Sequence, residues 1–120
     1  VKAVSSVFVF MILLLIGCSG AGSKPFRFTG SEVRLEYRPG KGKPAVVYLA
    51  GSFNNWVIFD PDFRMQWDSI KKIYFIRISL KPGKYYYKFI VDGEWVVDPR
   101  AAQVVADKLG GGMGVFIVGE

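Results

Sequence analysis

The segment Tyr85-Tyr86-Tyr87-Lys88-Phe89-Ile90-Val91 runs into Asp92-Gly93 and then into Glu94-Trp95-Val96-Val97. A β-branched and aromatic run closed by Asp-Gly predicts two antiparallel strands joined by a two-residue turn, because both turn positions must adopt positive φ. The hairpin also sets parity. With a side-chain period of two, Tyr85, Tyr87, Phe89 and Val91 share one face and Tyr86, Lys88 and Ile90 share the other. A lysine midway along such a strand is costly inside a core. Lys88 therefore assigns its face to solvent, with its ammonium free to donate hydrogen bonds, and the other face to the interior.

The rest of the chain follows the same grammar. Val33-Arg34-Leu35-Glu36-Tyr37 alternates, and Val46-Val47-Tyr48-Leu49-Ala50 follows the turn Pro39-Gly40-Lys41-Gly42-Lys43-Pro44. Residues 73–78 lead towards Pro82-Gly83, and Val115-Phe116-Ile117-Val118 reads as the last strand. Phe53 is a core candidate. No segment has the pattern of an amphipathic helix of three turns, and residues 99–107 read as one loose turn at most. The expected fold is all-β, an immunoglobulin-like β-sandwich of about seven short strands.

Composition narrows the function. A length of 120 residues suits one domain. Histidine is absent and there is one cysteine, which removes Ser-His-Asp and Cys-His catalysis and the commonest zinc-ligand sets. The carboxylates Asp60 and Asp62 flank Pro61. Glycoside hydrolysis needs two carboxylates about 5–9 Å apart across a cleft, which a small sandwich does not offer, and calcium needs six or more oxygens. The expectation is no enzyme, no metal and no cofactor. The net charge of +6 comes largely from lysines beside turns, such as Lys41, Lys43, Lys71, Lys72, Lys81 and Lys84, which read as solvated turns and edge protection. Without a dense basic run or an RNA-binding signature, nucleic acid is not an expected partner.

The N-terminal stretch reads separately. Lys2 precedes an apolar run of ten residues, 7–16, which is too short to span a bilayer and suits a signal-peptide core. Leu15-Ile16-Gly17-Cys18 resembles the lipobox of bacterial lipoproteins. That resemblance implies cleavage after Gly17, lipidation of Cys18 and a membrane-anchored protein outside the cytoplasm. Ser19 after the cysteine implies the outer membrane where the host has one. An ordinary secretory signal with an unrelated thiol is the alternative. The expected organisation is a signal peptide over residues 1–17, a lipidated tether over 18–25 and a β-sandwich over 26–120.

Two tryptophans remain to be placed. Trp56 ends the run Gly51-Ser52-Phe53-Asn54-Asn55-Trp56, where Asn54 and Asn55 suit a turn because both tolerate left-handed backbone. Trp95 follows the Asp-Gly hairpin. A flat aromatic held at a strand end can offer its face to the apolar face of a glucose ring. A third, Trp67 in Met65-Gln66-Trp67-Asp68-Ser69, reads as packing.

The run from Gly51 to Trp56, the segment from Leu80 to Trp95 and the pair Asp98-Pro99, in that order, resemble carbohydrate-binding module family 48, including the glycogen-binding module of the AMP-activated protein kinase β subunit. The resemblance covers about residues 33–118. It implies an early-set immunoglobulin-like sandwich without catalytic activity, binding α-1,4-glucans such as glycogen, starch and maltooligosaccharides. It further implies that Trp56 and Trp95 stack on glucose and that Lys88 bonds its hydroxyls. Leu109 matches a leucine in the loop before the last strand, and Asn55 joins the candidate contacts beside Trp56. Tyr86 and Ile90 are secondary candidates flanking Lys88. The family usually has a sugar-bonding asparagine where this chain has Met113, so the loop Gly110-Gly111-Gly112-Met113-Gly114 offers backbone amides only. The implied partners are an α-glucan, the membrane through Cys18, and a separate amylase or transporter. The alternative is a structural or protein-interaction adaptor that has lost sugar binding.

Overall fold

The Asp92-Gly93 hairpin forms as the sequence predicts: φ is 48° at Asp92 and 86° at Gly93, and Val91 pairs with Glu94 across the turn. The computed structural model describes residues 24–119. Its nine strands are β1 (Phe26–Thr29), β2 (Glu32–Tyr37), β3 (Val47–Gly51), β4 (Gln66–Asp68), β5 (Ile73–Ser79), β6 (Gly83–Val91), β7 (Glu94–Val96), β8 (Val104–Ala106) and β9 (Gly112–Gly119). The expected signal peptide, Cys18 and most of the tether lie outside the described residues. Among the described residues no helix is long and apolar enough to cross a membrane.

The strands form two sheets, so the expected all-β sandwich is observed. One sheet follows the order β1-β9-β6-β3, with β7 added to β6 and β8 added to β9; the other follows β2-β5-β4. Strand β6 organises the larger sheet. Its first half pairs with β9 and its second half with β3 on one side and β7 on the other, all antiparallel, whereas β1 joins β9 in parallel.

Parity places the core as expected. Tyr87 and Phe89 are buried, and Tyr85 and Val91 pack against the same cluster, which takes Val33, Leu35, Tyr74 and Ile76 from the smaller sheet. Phe116 of β9 holds the centre, with ring centroids 5.5 Å from Phe28, 5.6 Å from Tyr85 and 5.5 Å from Tyr87. Full burial of a side chain such as Phe89 or Phe116 contributes about 1.5–3 kcal/mol. Phe53, expected in the core, is half-buried and stacks on Phe63 at 5.2 Å. Trp67 packs on Tyr74 at 4.9 Å, with the Lys43 ammonium 5.1 Å from its ring centre, in keeping with a packing role.

Three expectations need correction. Residues 99–107 are not merely a loose turn: Val104–Ala106 is β8, created by pairing with Gly112–Gly114. That pairing also starts the last strand at Gly112 instead of Val115, so Met113 belongs to β9 and not to the preceding loop. Finally, Ile90 shares the outer face with Lys88 yet is buried, because Tyr48 of β3 and Trp95 of β7 lie opposite it on either side.

Candidate functional site

The outer face of the larger sheet carries an open cradle of about 830 Å³. Trp56, Tyr86, Lys88, Trp95, Leu109 and Met113 line it, together with Asp107, Lys108 and Gly111. Three local structures bring these side chains together.

The first is the turn after β3. Residues Ser52–Asn54 form a 3₁₀ turn capped by Asn55, with φ 56°, and Trp56 follows at φ 60°. Positive φ is unusual for a bulky residue and costs on the order of 1–3 kcal/mol unless its surroundings hold it. Here they do. The Trp56 amide donates to the Gly51 carbonyl at 2.9 Å. The Asn54 side chain accepts from the Gly51 amide at 3.0 Å and donates to the Val57 carbonyl at 3.3 Å. Gly51 is required at the base of this turn, because a Cβ there would fall 2.5 Å from the Phe53 ring.

The second structure is the β6–β7 hairpin, which places Trp95 opposite Ile90 and leaves it 48% exposed. Its ring centroid lies 6.2 Å from that of Trp56, at an interplanar angle of 60°.

The third is the loop between β8 and β9, and Asp107 organises it. One carboxylate oxygen accepts from the Leu109 and Gly111 amides, both at 2.8 Å. The other accepts from the Lys88 ammonium at 2.6 Å. These bonds, that from Lys88 foremost, hold the Asp107 carboxyl below its ordinary pKa. Leu109 is thereby held at the loop tip, 96% exposed.

Beneath the cradle, the buried phenol of Tyr87 donates to Asp98 at 2.5 Å. Burial first, and then this bond, push its pKa up, so it remains a neutral donor. Asp98 also accepts from the Arg100 amide at 2.8 Å, fixing the turn that leads from β7 towards β8.

Of the candidate residues, Trp56, Lys88, Trp95 and Leu109 converge on the cradle, as does the secondary candidate Tyr86. Asn55 is exposed and serves the turn, outside the cradle lining, while Ile90 is buried beneath it. The Lys88 ammonium is not wholly free, since one donor goes to Asp107. Met113 does reach the lining, from β9.

Sequence reasoning missed Asp107, and it placed Asn54 in the turn without the side-chain bonds that close it. The only local signal was an Asx residue shortly before a Gly-rich turn, and the partner of Asp107 lies 19 residues away. Asp60 caps a second 3₁₀ turn by accepting from the Asp62 amide at 3.1 Å.

A family model described as the glycogen recognition site of AMP-activated protein kinase matches residues 32–119. The Homo sapiens protein "5'-AMP-activated protein kinase subunit beta-2" is 39% identical over 64 residues, covering 53% of this chain and 21% of that protein. The Rattus norvegicus subunit beta-1 is 32% identical over 84 residues, covering 62% and 28% respectively. "Protein PTST homolog 2, chloroplastic" of Arabidopsis thaliana is 42% identical over 53 residues, covering 44% and 9%. The chain thus spans between 9% and 28% of the length of these three relatives. Because the family match takes in every strand except β1 and every element of the cradle, the chain belongs to the family of the AMP-activated protein kinase glycogen recognition site.

Proposed function

We propose that this domain is a non-catalytic module that binds α-1,4-glucan chains in the cradle on its larger sheet. The observation that carries the reading is the convergence of Trp56 and Trp95, inclined to each other, with Lys88 and Leu109 around one exposed surface. Successive glucose units rest their apolar faces on the two indoles, and Lys88 donates to their hydroxyls. If each stack removes roughly 50–80 Å² of apolar surface from water, it contributes about 1–2 kcal/mol. A hydrogen bond from the ammonium adds about 1.5 kcal/mol or more. Against an association cost of at least ~4 kcal/mol these gains leave little net free energy, so one site binds weakly, at about millimolar concentrations or above. Glycogen, starch fragments and maltooligosaccharides are the ligands of this class.

Lipidation of Cys18 would hold the module on a membrane outside the cytoplasm. Many copies facing one polymer would then gain avidity without new contacts, delivering glucan to a separate amylase or transporter. A second reading, a protein-docking sandwich, draws on the exposed side chains of Val57, Ile58 and Phe59 beside Trp56.

The test is affinity electrophoresis of the full chain through gels with and without glycogen. Retardation by glycogen, lost in Trp95→Ala, supports the glucan reading. Unretarded migration of the folded parent overturns it and favours protein docking.

A further inference from the structure

Among the polar residues of the cradle, Lys88 and Asp107 form its ion pair, with side chains 15% and 18% exposed. Neither is fully used. An ammonium has three N–H donors, and Lys88 spends one on Asp107. One carboxylate oxygen of Asp107 takes both loop amides, while the other takes Lys88. Acceptor capacity therefore remains on the oxygen beside the ammonium. Gly111 leaves that oxygen open, since a Cβ there would sit 2.8 Å from it and 3.3 Å from the Lys88 nitrogen. Met113, the neighbour in the lining, offers only a weakly accepting thioether.

A cation alone can serve only lone pairs. A cation with a carboxylate oxygen at its side can serve both hydroxyls of a vicinal diol, donating to one oxygen and accepting the proton of the next. In an α-1,4-linked glucose unit, positions 1 and 4 are consumed by the linkage, so the one free vicinal pair is the 2- and 3-hydroxyls. The 6-hydroxyl stands apart. The Lys88 nitrogen lies 5.8 Å from the centre of the Trp95 ring, close enough for a sugar on that ring to present its edge to the pair.

We propose that Asp107 is a specificity-determining residue, and that Lys88 and Asp107 together read the 2,3-diol of the glucose unit stacked on Trp95. The proposal rests on the α-glucan reading of the cradle. Within it, the acceptor that Met113 does not provide comes from Asp107, and binding selects for unmodified adjacent hydroxyls.

The experiment is calorimetric titration of the full chain with three probes: β-cyclodextrin, its derivative methylated at positions 2 and 3, and its derivative methylated at position 6 alone. The parent is expected to bind the first and third within about threefold of each other, and the second at least about tenfold more weakly, the scale of losing hydrogen bonds to charged groups. Asp107→Asn keeps an oxygen for the two loop amides. It should bind β-cyclodextrin about tenfold more weakly than the parent and no longer discriminate against the 2,3-methylated probe. Lys88→Met, which leaves the loop bonds intact, should lose the same discrimination. Undiminished discrimination in Asp107→Asn, with or without an equal loss on all three probes, overturns the role of Asp107 while leaving glucan binding in place. A folded parent that binds none of the probes removes the glucan reading and this proposal together.

Discussion

The indole rings of Trp56 and Trp95 lie 6.2 Å apart at an angle of 60°, although 39 positions separate them in the chain. A curved, repeating ligand can rest on two such facets; a flat one cannot use both. Trp95→Ala is expected to lose about 1–2 kcal/mol of glucan affinity, roughly five- to thirtyfold. Because the side chain is half exposed but also covers Ile90, the thermal midpoint should fall only modestly. Affinity gels and a melting curve on the same preparation check both. A large stability loss would instead mark Trp95 as a core residue.

Stability rests on a different pair. Tyr87→Phe would leave the buried Asp98 carboxylate without its 2.5 Å donor. The expected cost is about 1–3 kcal/mol in urea unfolding. Glucan retention should survive wherever the variant is folded, since neither group lines the cradle.

Gly51→Ala should act on both properties. The added Cβ would meet the Tyr86 carbonyl oxygen and the Phe53 ring, and overpacking of this kind costs about 1–3 kcal/mol. The Gly51 amide and carbonyl also hold Asn54 and Trp56. Glucan affinity is therefore expected to fall along with the unfolding midpoint.

The pH dependence follows from Asp107. The Lys88 bond lowers its folded-state pKa below the ordinary 3.8. A lowered pKa means that the contribution is complete above the unfolded-state value and is lost as pH falls through the folded one. Glucan retention should accordingly be flat from about pH 8 to about pH 5, well above the ordinary carboxylate range. It should decline only below 3.8. Asp107→Asn should lack that acid decline, with circular dichroism confirming that both proteins remain folded over the range compared.

Much of this architecture was legible because alternation and turn chemistry are local. The run from Tyr85 to Trp95 contains its own face assignment, its turn and one of the two tryptophans of the cradle. Strand β8 was not legible, since Val104–Ala106 is three residues long and becomes a strand by pairing with Gly112–Gly114. The burial of Ile90 is hidden for a related reason: parity gives the face, but burial on an outer face depends on what the neighbouring strands Val47–Gly51 and Glu94–Val96 set beside it. Parity gives the face of Lys88, while no local pattern joins it to Asp107, 19 positions later. Asn55 drew attention through its place beside Trp56. The clamp is its neighbour, Asn54, whose side chain closes the turn.

The chain's three tryptophans allow a direct test with an internal control. Trp56 and Trp95 line the cradle, whereas Trp67 packs on Tyr74 in the other sheet. In a titration with maltoheptaose followed by the indole N–H resonances, the signals of Trp56 and Trp95 are expected to move together along one saturable isotherm, with that of Trp67 stationary. If no indole signal moves at millimolar sugar, or if Trp67 responds while the other two do not, the cradle is not the glucan site.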